Sequence, residues 1–111
     1  MRRLPTLKQL QYLSALSIHR HFGLAAEACH VTQSTLSLGI RDLEQVLGIQ
    51  VAERSNRKVI MTPFGESLST AAKDVLNRAE DLVDTSVRND ESLIKMAAIA
   101  QRMIASDNKA E

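Results

Sequence analysis

Residues 25–44, Ala25-Ala26-Glu27-Ala28-Cys29-His30-Val31-Thr32-Gln33-Ser34-Thr35-Leu36-Ser37-Leu38-Gly39-Ile40-Arg41-Asp42-Leu43-Glu44, decide how this chain is read. They contain two helical patterns separated by a turn too short to build anything else. Leu36, Ile40, Leu43 and, just beyond, Leu47 fall at steps of four, three and four, which lines one side of a helix. Gln33 or Ser34, Ser37, Arg41 and Glu44 repeat with nearly the same step on another side. Short hydrogen-bonding residues near a helix N-terminus, followed one turn later by a cation, suit base edges and phosphates in a major groove. The apolar side then holds the helix to a small scaffold. The pattern predicts a helix-turn-helix whose outward helix is capped by Thr32 and ended by Gly48.

Working backward, Thr6 with Gln9 forms a capping-box pattern after Pro5, and Leu7, Leu10, Leu13 and Leu16 follow at helical spacing. A first helix to about His19 is expected, then a short second helix over roughly 23–30. Phe22, Ala25, Ala26 and Cys29 face inward, and the small alanines permit a tight helix crossing. His30 stands where many such units have glycine. Gly39 costs about 1 kcal/mol inside a helix relative to alanine; close approach of the backbone to DNA is one reading of it.

Working forward, Ile49 to Arg54, the polar turn Ser55 to Lys58, and Val59 to Met61 describe a small hairpin. A basic hairpin beside the outward helix is the wing of a winged helix-turn-helix. Thr62-Pro63 pairs an N-cap hydroxyl with proline at the first helical position. Leu68, Ala72, Val75, Ala79 and Leu82 then alternate steps of four and three, a heptad seam with small residues at alternate positions. A helix from 63 to about 88 is roughly 40 Å long at 1.5 Å per residue. That exceeds what the preceding domain covers, so a second copy is the simplest partner and a dimer follows. Asn89-Asp90 caps a last short helix bearing the stripe Leu93, Met96, Ala97, Ala100, Met103 and Ile104.

Composition bounds these readings. The 111 residues allow one small domain and an appended helix, and 44% are apolar with only Tyr12, Phe22 and Phe64 aromatic. No run approaches a membrane span, and Met1-Arg2-Arg3 leads into Pro5 rather than an apolar signal. Cys29 is the only cysteine, which forbids an intramolecular disulfide and fits a reducing, cytoplasmic setting. Residues 1–60 carry eight Lys/Arg against four Asp/Glu, and residues 61–111 six against nine. A basic front and an acidic rear suit a nucleic-acid reader joined to a non-binding segment. His19, His21, Cys29 and His30 match no standard zinc spacing, and Cys29 reads as a small core residue. No glycine-rich phosphate loop or inward carboxylate pair is visible, so no catalytic residue, metal, cofactor or small-molecule ligand is expected.

Ala25-Ala26, Val31-Thr32-Gln33-Ser34-Thr35-Leu36-Ser37, Ile40, Leu43-Glu44, Leu47-Gly48, Arg54 and Thr62-Pro63-Phe64-Gly65 resemble the N-terminal domain of LysR-type transcriptional regulators over residues 5–88. His19-Arg20-His21-Phe22 and Cys29-His30-Val31 look most like the peroxide-sensing OxyR branch. The resemblance implies a mainly α fold: a winged helix-turn-helix over 1–62, a dimerising linker helix over 63–88, and a tail over 89–111 outside the resemblance. It implies binding to interrupted inverted repeats of double-stranded DNA. The family's effector-binding domain is missing from the sequence in hand, and Leu38 stands where many relatives have a polar or basic residue.

Carried over by position, Thr32, Gln33, Ser34, Thr35, Ser37, Leu38 and Arg41 form the expected DNA-reading set. Gln33 suits adenine, Ser34 and Ser37 suit bases or phosphate, Thr32 lies at a phosphate-favouring N-terminus, and Leu38 suits a thymine methyl. Arg54, Arg57 and Lys58 of the wing are expected to hold the backbone or enter the minor groove. Leu68, Ala72, Val75, Ala79 and Leu82 are the expected dimer seam. The leading expectation is a sequence-specific, homodimeric regulator of transcription without a ligand domain. A partner in mixed dimers with a full-length relative, a higher oligomer, or a fragment of a longer regulator are the alternatives.

Overall fold

The computed structural model describes residues 2–55 and 58–110, and the side chains of all of these except 55, 87–93 and 106–110. The chain runs α1 (Leu7–His19), α2 (Phe22–Ala28), α3 (Gln33–Leu47), β1 (Ala52–Ser55), β2 (Lys58–Met61) and α4 (Pro63–Ala110). Met1–Asn77 form one compact unit and Arg78–Glu111 another.

Each of the first three helices starts on a side-chain cap. Thr6 accepts from the Gln9 backbone N–H at 3.1 Å while the Gln9 amide oxygen accepts from the Thr6 N–H at 3.0 Å, the expected capping box. His21 caps α2 through Nδ1, which accepts from the Leu24 N–H at 3.0 Å. Thr32 caps α3, its Oγ1 accepting from the Thr35 N–H at 3.1 Å. The chain reverses after α1 at Arg20 and after α2 at His30, both left-handed, with φ of 51° and 57°. At such positions a non-glycine side chain carries a modest strain, which here is the requirement of two consecutive tight turns.

The three helices share one aliphatic core. Leu13 and Leu16 of α1, Ala25 of α2, Leu36 and Leu43 of α3, and Val51 are all fully buried, with Ile40 at 1% exposure. Gly39 sits where α3 crosses α1. A Cβ there lies 2.5 Å from Cδ2 and 2.6 Å from Cε2 of the buried Tyr12 ring. Its missing side chain makes room for that ring, which corrects the reading of Gly39 as a point of approach to DNA.

The hairpin is shorter and shifted from the expected one. β1 and β2 pair antiparallel as Ala52↔Met61, Glu53↔Ile60, Arg54↔Val59 and Ser55↔Lys58, so the ends of the expected turn join the ladder. Gln50 and Val51 stay outside it because other partners take their backbone groups. The Val51 N–H donates to Glu44 Oε2 at 2.8 Å, the Val51 carbonyl accepts from the Thr62 N–H at 3.0 Å, and the Gln50 carbonyl accepts from Thr62 Oγ1 at 2.8 Å. These bonds fasten the hairpin root to α3 and to the start of α4.

Thr62 also caps α4, its Oγ1 accepting from the Gly65 N–H at 2.9 Å. Ser69, 2% exposed, donates to Ser17 Oγ at 2.7 Å, and Arg20 pairs with Glu66, both tying α4 to α1. The helix continues to Ala110 without the break expected at Asn89-Asp90. No proline or glycine follows Gly65, and asparagine or aspartate costs only tenths of a kcal/mol more than its neighbours inside a helix. Among the described residues no helix is long and apolar enough to cross a membrane.

Candidate nucleic-acid interface

The residues that α3 leaves outside follow from its own periodicity. With Leu36, Ile40 and Leu43 turned into the core, Gln33, Ser34, Thr35, Leu38, Arg41 and Gln45 are exposed and Ser37 is half-buried. Thr32 and Thr35 serve the cap, Thr32 Oγ1 donating to Thr35 Oγ1 at 2.8 Å. The Thr35 hydroxyl thus keeps its own proton for another acceptor. The site residues expected on this helix therefore share its solvent side, with one departure. Glu44, expected on the polar stripe, is half-buried and turned to the hairpin root, where it accepts from Val51. Spacing alone placed it outward; the signal for its actual role was a carboxylate seven residues before a backbone N–H that the hairpin ladder leaves without a partner.

The wing brings cations to one edge of α3. β2 alternates, with Val59 and Met61 buried and Lys58 and Ile60 exposed. Opposed residues in an antiparallel pair share a face, so Arg54, opposite Val59, lies on the inward side. It cannot enter the aliphatic core charged. Instead its guanidinium stacks on Phe22 at the start of α2, 4.6 Å from the ring centroid. This fixes a flexible cation in one place. Phe22 was expected only as a core residue; its role as the seat of Arg54 was not legible from the sequence. Arg57 lies outside the described residues.

The result is a concavity of about 390 Å³ whose lining includes His21, Gln33, Ser37, Arg54 and Lys58 and, among the described residues, no carboxylate. Because Nδ1 of His21 accepts from the Leu24 N–H, the neutral ring carries its proton on Nε2 as a donor. Two cations, a histidine donor, a hydroxyl and an amide thus converge beside the crest formed by Ser34, Leu38 and Arg41. This set is suited to phosphate oxygens at the edge and base edges at the crest. Elsewhere, burial pushes the Cys29 thiol up from its ordinary value of 9.0, and its Sγ lies 3.8 Å from the Gln11 carbonyl oxygen. Among the described residues no three His, Cys, Asp or Glu side chains converge as a metal site.

The expected seam on α4 divides. Leu68 packs against the core and Ala72, 2% exposed, is part of it. Val75 and Leu82 are exposed and Ala79 is half-exposed. Farther along, Met96, Met103 and Ile104 of the stripe are exposed too, while the side chain of Leu93 lies outside the described residues.

Comparison with known proteins agrees with this geometry. A family model described as the bacterial regulatory helix-turn-helix protein, lysR family, matches residues 7–66. The chain is 42% identical over 87 residues to the DNA-binding transcriptional dual regulator OxyR of Escherichia coli (strain K12), a match covering 78% of this chain and 28% of that one. Among solved structures, full-length OxyR from Pseudomonas aeruginosa superposes with a TM-score of 0.71 at 42% identity, covering 75% of this chain and 28% of the other. The BenM DNA-binding domain in its complex with benA site 1 DNA gives 0.70 at 34% identity, covering 75% and 93%. The chain thus spans about 28% of the length of the OxyR proteins it matches.

Proposed function

Since the chain belongs to the lysR family of bacterial regulatory helix-turn-helix proteins, we propose that it reads an inverted-repeat DNA site as a homodimer, with one α3 in the major groove of each half-site. Gln33 and Ser37 contact base edges, Ser34 and Thr32 contact bases or phosphate, and Arg41 follows one turn later. Arg54 and Lys58 hold the backbone flanking the groove. The observation that carries this reading is the open crest of α3 beside a concavity lined by Lys58 and by Arg54, which is stacked on Phe22. Val75, Ala79 and Leu82 supply the contact between copies, and two helices one duplex turn apart, about 34 Å, meet both half-sites.

Light scattering on the purified chain, followed by mobility shift, tests this. The expected result is twice the monomer mass and a shift whose affinity falls steeply with salt, as release of counterions from several phosphates requires. Gln33→Ala is expected to alter which sequences are preferred, while Arg54→Ala weakens all sequences alike. A monomer that shifts no duplex, or identical preferences for the chain and Gln33→Ala, contradicts the reading. A chain that shifts DNA only when mixed with a longer relative points instead to mixed dimers.

A further inference from the structure

Of the fifteen residues of α3, one large apolar side chain is left in solvent. Leu36, Ile40 and Leu43 are at most 1% exposed, whereas Leu38 is 57% exposed. It lies one turn after Ser34 and three residues before Arg41, both exposed, so an apolar side chain interrupts an otherwise polar crest. Leucine at that position does nothing for the domain's own core, which leaves its side chain free to meet a partner outside the chain. The major-groove edges of DNA present donors and acceptors at every base pair but only one apolar group, the C5 methyl of thymine.

We propose that Leu38 packs on a thymine methyl, so that each half-site holds a T·A pair between the positions met by Ser34 and Arg41. This rests on α3 entering the major groove, and it adds a specificity that the polar residues cannot supply. Hydrogen-bonding side chains distinguish thymine from cytosine but are blind to the methyl. Leu38 recognises the methyl alone and so separates thymine from uracil.

The test uses the full chain and the duplex it selects from a random pool. Each thymine of a half-site is replaced in turn by deoxyuridine, which removes one methyl and leaves every hydrogen-bonding edge in place. One position per half-site is expected to weaken binding about three- to fivefold, the value of removing one buried methyl from an apolar contact. With Leu38→Ala the same replacement is expected to change affinity by less than about 1.5-fold, while effects at other thymines persist. Leu38→Gln, whose amide pairs with adenine, is expected to move the preference at that position from thymine to adenine, and it serves equally should Leu38→Ala fold poorly. A chain that selects a site but shows no uracil effect dependent on residue 38 overturns the proposal and leaves the DNA-reading intact. A chain that selects no site removes both.

Discussion

Gly65→Ala probes the junction on which the wing depends. Gly65 is buried in the first turn of α4, and a Cβ added there overlaps the Val51 carbonyl oxygen, with the Val51 carbonyl carbon at 2.8 Å and its Cα at 3.0 Å. All three atoms are backbone, so no rotamer change relieves the clash. Carbon atoms sit comfortably at about 3.5–4.0 Å, so the hairpin root and the start of α4 must separate by roughly half an ångström or more. Two hydrogen bonds cross that junction, from Thr62 N–H to Val51 and from Thr62 Oγ1 to Gln50. Their weakening costs about 1 kcal/mol each, and overpacking adds about 1–3 kcal/mol. The entropy gained on replacing glycine offsets up to about 1 kcal/mol. A net loss of about 2–4 kcal/mol lowers the thermal midpoint of a domain this size by about 10–30 °C. Circular dichroism melts of both proteins at one fixed concentration measure it. A midpoint unchanged within about 2 °C, or raised, refutes the close approach and the fastening it implies.

Other consequences are measurable in the same way. Gly39→Ala is expected to be neutral to destabilising by up to about 2 kcal/mol, because collision with Tyr12 outweighs the helix-propensity gain of about 1 kcal/mol; a rise in the urea midpoint contradicts the α1–α3 contact. Glu44→Ala removes the acceptor for the Val51 N–H and is expected to cost about 1.5–3 kcal/mol, whereas a residue merely on the DNA face leaves the unfolding midpoint untouched. Val75→Asp combined with Leu82→Asp is expected to give a monomer by light scattering with α-helical content retained; an unchanged dimer places the interface elsewhere. Cys29, whose thiol burial holds above its ordinary value, keeps its proton in the native chain at pH values where the unfolded chain has lost it. Stability is therefore expected to fall as pH rises through about 9 and to be flat below, relative to Cys29→Ser; parallel pH curves for the two proteins contradict the burial.

Much of the fold was legible because local chemistry and global packing agree. Thr6, Thr32 and Thr62 announce helix starts by hydroxyls that cap them, and Leu36, Ile40 and Leu43 mark by spacing alone the side of α3 that is buried. What the sequence hid was relational. Glu44 has the period of the outward stripe, yet an N–H seven residues later draws it to the hairpin. The glycine at 39 is explained by a tyrosine 27 positions earlier, and Arg54 owes its position to Phe22 across the fold. No periodicity encodes such pairings, since each depends on where two distant elements cross. Within α4, heptad spacing ran on unchanged across residues that serve the domain's own core, Leu68 and Ala72, and residues that stay exposed, Val75 and Leu82. Asn89-Asp90 resembled a cap only because those residues favour caps, and with no breaker nearby the helix passed through them.

Selection of bound duplexes from a fully random pool by the purified chain bears most directly on the reading of α3 and the wing as a paired DNA-recognition surface. The expected product is a gapped, two-fold symmetric motif with half-sites on one face of the duplex. Recovery of an unenriched pool, or of a single half-site without a symmetry mate, contradicts it.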